Sequence, residues 1–243
     1  MKLIVAGSTG FVATELIRQA LSHPAVTSII ALGRREAPTP ANAGPNAAKF
    51  QSVICDNFEN YSESVRQKLA GADACVWTIA VTPSQLKTMT WEQICTICRD
   101  YAIRGIETMS ELDRDRKTSK PFRFIYISGA NSVRDPAKRP WVLGDYCVLR
   151  GEAESRILAY AQQSNGKVDA RIAKPGLIEA EGKTGVLVNV AKTIGRTLIG
   201  LPKVHVREIS ATLLDQAVNG FQKDTLLNED LVKIGQRVLQ TQQ

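Results

Sequence analysis

The chain opens on a short apolar run, Lys2–Ala6, and then changes its period. After Gly7-Ser8-Thr9-Gly10, apolar residues recur at Val12, Leu16, Ile17, Ala20 and Leu21. That is the spacing of one helix face, and it predicts a helix from Phe11 to Ser22. The alternation continues along the chain. Apolar strands are expected at Ser28–Leu32, Phe50–Ile54, Ala74–Ile79, Phe122–Ile127 and Val168–Ala173. Helices are expected at Tyr61–Leu69, from Thr90 to about Asp115, and from Asp145 to about Gln163. Pro24, Gly71, Pro121 and Gly166 punctuate these segments, and Thr90 with Gln93 has the spacing of a capping box. Strands that read as continuous apolar runs are covered on both faces, and strands alternating with helices wind as right-handed βαβ units. Further helices are expected at 185–200, 206–221 and Leu231–Leu239, the last capped by Asn228.

Composition adds limits. A hydrophobic content of 44% and a charged content of 23% are those of a globular chain able to bury a core. No apolar run approaches the roughly 20 residues that span a bilayer. The first residues lack a basic leader and a cleavage site, so they are read as the first strand and the expected location is cytoplasmic. Five cysteines are an odd number. Cys95-Thr-Ile-Cys98 has C-x-x-C spacing, but it lies in a helical stretch with no second pair or histidine cluster, which favours two small apolar helix residues over a metal or redox site. His23 and His205 offer no metal-ligand pattern. The net charge of +7 suits an anionic ligand, including a cofactor phosphate. Apart from Arg114–Lys120 the basic residues are scattered, and no nucleic-acid partner is expected. A small-molecule substrate is expected, and a homodimer is allowed.

The candidate chemistry begins at the first turn. Gly7, Gly10 and Ala13 form G-x-x-G-x-x-A between a strand and a helix, an arrangement that turns helix N-terminal amides toward a phosphate. The second strand runs into Gly33-Arg34-Arg35, where a carboxylate for a ribose 2′-hydroxyl would otherwise stand. Two guanidinium groups there suit a 2′-phosphate; the alternative is a pair of solvated arginines. Asp56, after the third strand, either faces an adenine or caps a helix. The small apolar loop Thr78–Pro83, with Ala80 and Val81, is placed to lie along a cofactor. Tyr146 and Arg150 are four apart on one helix face. A cation so placed favours the phenolate, lowers the tyrosine pKa and readies it for proton transfer; an arginine does this without itself giving up a proton. Taken together, the fold class is α/β: a Rossmann-type doubly wound parallel sheet in a single domain over 1–243. Residues 179–243 are expected to form a small C-terminal cap over the carboxyl ends of the strands.

In combination, Gly7-Ser-Thr-Gly10-Phe-Val-Ala13, Leu32-Gly-Arg34-Arg35, Phe124-Ile-Tyr-Ile-Ser128, Tyr146-x-x-x-Arg150-Gly-Glu and Lys174-Pro175-Gly176 resemble the atypical short-chain dehydrogenases/reductases, in the NmrA-like and Tat-interacting-protein-like group. The resemblance implies NADP(H) as cofactor. It implies Gly7, Ser8, Thr9, Gly10, Phe11 and Val12 about the pyrophosphate, Arg34 and Arg35 at the 2′-phosphate, Asp56 near adenine, and Ala80, Val81, Pro175 and Gly176 along the rest of the cofactor. It further implies Tyr146 as proton donor, Arg150 in the position of the usual lysine, and Ser128 orienting the substrate oxygen. The chain departs from the family at Arg150 and at Gly129-Ala130, where serines are usual. The expected activity is an NADP(H)-dependent oxidoreductase acting on a carbonyl, alcohol or conjugated double bond of a small hydrophobic molecule. The alternatives are a non-redox isomerase, cyclase or dehydratase, and an NADP-sensing regulatory protein.

Overall fold

The computed structural model describes residues 1–41, 43–112, 120–180, 200–221 and 223–241. All but the last residue of the expected helix at 185–200, the end of the helix near Asp115 and most of the Arg114–Lys120 cluster lie outside these residues.

Strands β1 (Lys2–Ala6), β2 (Ser28–Gly33), β3 (Phe50–Ile54), β4 (Ala74–Trp77), β5 (Phe122–Ile127) and β6 (Val168–Lys174) are in one parallel sheet. Two three-residue strands, β7 (Leu177–Glu179) and β8 (Lys203–His205), pair with each other in a separate parallel ladder. A last strand, β9 (Thr225–Leu227), pairs parallel to β6. The large sheet therefore runs β3-β2-β1-β4-β5-β6-β9, with the chain reversing direction of travel between β1 and β4. That reversal leaves a crevice at the carboxyl ends of β1 and β4, the place where ligands bind in open α/β sheets.

Alternate residues of each strand feed two cores. Leu3 and Val5 of β1, with Ile29, Val76 and Ile125, face one side. There they meet α1 (Phe11–Ser22) through Leu16, Ile17 and Ala20. Ile4, Ala6, Ile30, Trp77, Phe124 and Ile172 face the other side. This second face is covered by α2 (Glu63–Leu69), α4 (Tyr101–Glu111) and α5 (Gly144–Gln163); α3 (Trp91–Cys95) leads into α4 through a π-helical turn (Thr96–Asp100) and joins a separate small cluster with Val81 and Leu149. Burial on both faces is why the strands carry no polar alternation. Thr90 caps α3 by the expected box, accepting from Gln93 N at 3.3 Å. The cap of α2 is Ser62, not Asp56.

The C-terminal elements depart from expectation. Helices α6 (Val206–Asn219) and α7 (Asn228–Thr241) do not roof the strand ends; they join α1 on its face of the sheet. Their apolar stripes, Ile209, Leu213 and Leu214 on α6 and Leu231 and Ile234 on α7, complete that core. Two polar contacts fix the seam: Gln19 Nε2 donates to the Arg207 carbonyl at 3.0 Å, and Ser210 Oγ donates to that of Val12 at 3.4 Å.

Candidate active site

The glycine turn is bound to the sheet at Gly7 and closed on itself at Gly10. Gly7 N donates to the Leu32 carbonyl at 2.8 Å, and Gly10 N to that of Gly7 at 2.9 Å. Gly7 has φ +87°, a conformation open to glycine, and a Cβ there would stand 2.4 Å from Thr78 Oγ1. Thr78 thus holds the turn from the end of β4, donating to the Ala6 carbonyl at 2.8 Å. Helix α1 starts at Phe11 with no side-chain cap and no acidic residue in its first turn, so its positive end is uncompensated by side chains. Thr9, Gly10 and Phe11 are exposed, whereas the Val12 side chain is buried in the core. Ser8 is buried, and its Oγ has no hydrogen-bond partner. A Cβ on Gly33 would lie 3.0 Å from that oxygen, so the first turn abuts the start of Arg34-Arg35. Both arginines are exposed and neither forms an ion pair among the described residues. Asp56 is exposed at the end of β3.

Helix α5 presents Tyr146, Arg150 and Glu154 at intervals of four, so all three lie along one side. Each meets a different part of the sheet edge. Tyr146 donates its hydroxyl proton to the Val81 carbonyl at 2.7 Å. Burial pushes its pKa up to about 12, and the Arg150 charge opposes this only in part. The expected lowering is therefore reversed, because the phenol is withdrawn from water and its proton has an acceptor. Arg150 is buried, not a surface cation. Its Nη2 donates to the Ile127 carbonyl, its guanidinium stacks 4.8 Å from the centre of the Tyr126 ring, and its Nη1 has no partner. Burial works against its charge, but the neighbouring Tyr126, Tyr146 and Cys98 outweigh burial and raise its pKa.

Ser128 is engaged elsewhere. Its Oγ lies 2.6 Å from Glu154 Oε1 and 3.0 Å from Ser132 Oγ. A carboxylate only accepts, so the one Ser128 proton goes to Glu154, leaving Ser132 to donate to Ser128. The resemblance implies Ser128 orienting a substrate oxygen; here its proton is held by Glu154. Glu154 is fully buried and also accepts from Arg134 Nε at 2.8 Å, with Lys174 Nζ at 3.4 Å. Lys174 donates as well to the Ser132 carbonyl at 2.5 Å. Sequence reasoning singled out neither Glu154 nor Arg134, and gave Lys174 no role of its own. The available signal was Glu154 standing one further helical turn along the Tyr146–Arg150 face.

Four residues expected along the cofactor, Ala80, Val81, Pro175 and Gly176, have contacts within the protein. Val81 is buried; its N–H donates to Cys98 Sγ at 3.3 Å while its carbonyl serves Tyr146. Ala80 packs beside it against the small apolar cluster of Ile94, Cys98 and Leu149. Gly176 N donates to Asn228 Oδ1 at 2.8 Å, and a Cβ on Gly176 would stand 1.9 Å from the Pro202 carbonyl oxygen. That glycine answers to the packing of the 200–203 segment. The Pro175 carbonyl accepts from Ala130 N at 2.8 Å.

The chain is 27% identical over 248 residues to "Protein FMP52, mitochondrial" of Candida albicans (strain SC5314 / ATCC MYA-2876), covering 96% of this chain and 98% of that protein. No family model matches. Among solved structures it resembles DesIV, a dTDP-glucose 4,6-dehydratase from Streptomyces venezuelae with bound NAD and TYD. There the TM-score is 0.69 at 16% identity, over 99% of this chain and 81% of that one. It also resembles vestitone reductase from alfalfa (Medicago sativa L.), with a TM-score of 0.66 at 17% identity over 93% of this chain and 76% of that one. A variant of a UDP-glucuronic acid 4-epimerase from Bacillus cereus, in complex with NAD, gives a TM-score of 0.63 at 15% identity. That match covers 93% of this chain and 77% of that one. The α/β Rossmann-like fold is thus common to this chain, a dehydratase, a reductase and an epimerase. No described helix is long and apolar enough to cross a membrane.

Proposed function

We propose that this protein is an NADP(H)-dependent oxidoreductase acting on a carbonyl or conjugated double bond of a small hydrophobic molecule. The observation that carries the reading is the junction of the first two strand ends. There a buried, unpartnered Ser8 hydroxyl adjoins the uncapped start of α1 on one side and Gly33-Arg34-Arg35 on the other. A dinucleotide fits these groups: helix N-terminal amides take a pyrophosphate, and exposed guanidinium groups take a 2′-phosphate. Asp56 stands by the adenine in this reading, and the free Nη1 of Arg150 serves the nicotinamide ribose. When bound, the reduced cofactor supplies hydride.

The protein's own part follows from its protons. Burial holds the proton on Tyr146, so in reduction the residue serves as the acid and in the reverse reaction as the base. To give that proton to a substrate it must release the Val81 carbonyl. Titration of NADPH and NADH tests the cofactor reading. We expect preference for NADPH, and a loss of NADPH affinity of about 10- to 100-fold in Arg34→Ala/Arg35→Ala with NADH unaffected. Equal affinity of the wild type for both would remove the NADP assignment. A carbonyl-substrate panel with wild type and Tyr146→Phe tests the chemistry.

A second reading, an NADP-sensing regulatory protein, is favoured by one observation. The hydroxyl protons of Tyr146 and Ser128 both go to protein acceptors. Binding of NADPH without turnover of any substrate, together with a cofactor-dependent partner, would select it. We also propose an intracellular site for the protein, on its five free cysteines, four of them buried. Fractionation that separates cytosol from mitochondria would decide between the cytoplasm and the compartment named for the Candida relative.

A further inference from the structure

Arg150 is a buried charge without a counter-charge. Its side chain is 3% exposed. What surrounds it is uncharged: the Ile127 carbonyl, the Tyr126 ring face, Cys98 and Tyr146. Both tyrosines are held protonated by burial. The carboxylate next along the same side of α5, Glu154, is already bonded to Arg134 and Lys174. Arg150 forms no ion pair among the described residues, and its Nη1 has no hydrogen-bond partner. A guanidinium cannot relieve this by losing its proton. An uncompensated ion of this kind is costly to bury, and the cost falls when an electron-rich group completes its surroundings and rises when a second cation approaches.

We propose that Arg150 makes the site discriminate between the two redox forms of its dinucleotide, holding the reduced form more tightly than the oxidised one. The inference rests on the reading that the nicotinamide end lies beside Arg150. The oxidised nicotinamide ring carries a positive charge that the reduced ring lacks, and the two forms are otherwise alike in what they offer the site. A fixed cation withdrawn from water therefore acts on their difference. At separations of several ångströms and an effective dielectric near 20, the difference is on the order of tenfold or more in affinity. An enzyme so built takes up reduced cofactor and releases the oxidised product readily; a sensor so built responds to the reduced form.

The test is calorimetric titration of the full-length protein with NADPH and with NADP⁺, for wild type, Arg150→Met and Arg150→Lys, each checked for folding by circular dichroism. We expect wild type to bind NADPH about tenfold or more tightly than NADP⁺. Arg150→Met should narrow that ratio by a similar factor, because both forms lose the ribose contact while only NADP⁺ is relieved of the charge, and Arg150→Lys, whose ammonium can shed its proton when buried, should fall between the two. Equal affinities in wild type, or a ratio unchanged in folded Arg150→Met, would overturn the proposal while leaving dinucleotide binding intact. Absence of binding of either form to folded wild type would overturn the dinucleotide reading and this inference with it. Should Arg150→Met not fold, the wild-type ratio decides alone.

Discussion

The Tyr146 hydroxyl donates to the Val81 carbonyl at 2.7 Å, and that single bond ties α5 to the loop after β4. Tyr146→Phe leaves the buried Val81 carbonyl without its partner. The expected destabilisation is about 1–3 kcal/mol, read by urea unfolding, with NADPH affinity changed little. A loss of NADPH affinity as large as that of the arginine double variant would instead put the hydroxyl on the cofactor.

The same bond sets a pH dependence. In the folded protein Tyr146 holds its proton to about 12, whereas in the unfolded chain it ionises near the ordinary 10.0. Its contribution is whole below pH 10 and is lost as pH rises from there toward 12, because the unfolded chain gives up that proton first. Thermal unfolding between pH 9 and about 11.5 should therefore fall more steeply for wild type than for Tyr146→Phe. Parallel curves would mean that the phenol is not protected.

Glu154, itself fully buried, pairs with two cations, the largely buried Lys174 and the part-exposed Arg134. Glu154→Leu should cost about 3–5 kcal/mol by leaving Lys174 unpaired. Adding Lys174→Met should return part of that loss, with a coupling of about 1–3 kcal/mol in a double-mutant cycle. Additive effects would show that the pair does not act as a unit.

Gly151 lies where the loop after β5 crosses α5. A Cβ there would stand 1.8 Å from the Val133 carbonyl oxygen, whereas one on Gly129 meets only Ser132 Oγ at 3.6 Å. Gly151→Ala should cost about 2 kcal/mol or more by forcing the chain apart. Gly129→Ala should stay within about 0.5 kcal/mol of wild type. Similar midpoints for the two variants in chemical denaturation would contradict this account.

Much of the architecture is legible in the sequence because the physics is local. Val12, Leu16, Ile17 and Ala20 are spaced for one helix face, and α1 occupies the residues that spacing predicts. The apolar runs at 50–54 and 122–127 coincide with β3 and β5. What the sequence does not reveal depends on contacts between distant segments. Strand β9 is three residues long, too short to carry a pattern, and exists because β6 offers it an edge. The stripes of α6 and α7 are readable as helices, but a stripe does not say which face of the sheet it will cover. At the site, the spacing of Tyr146 and Arg150 gives their shared helix face. It does not give the burial that reverses the tyrosine's acidity, nor the partners Val81 and Glu154 that take up the protons of Tyr146 and Ser128.

The π-helical turn at Thr96–Asp100 has a consequence for which length changes the chain tolerates. It lets the Cys98 carbonyl accept from the Tyr126 hydroxyl at 2.8 Å while Gly105, further on, lies flush against Trp77. Each residue of a helix turns the next by about 100°. A π turn holds one residue more than an α turn, so deleting one residue between 96 and 100 would regularise the helix and keep Gly105 and Ile106 on the sheet, while moving the Cys98 carbonyl away from Tyr126. The extra residue of this turn therefore serves the bond between Tyr126 and the Cys98 carbonyl, and not the seat of Gly105 against Trp77.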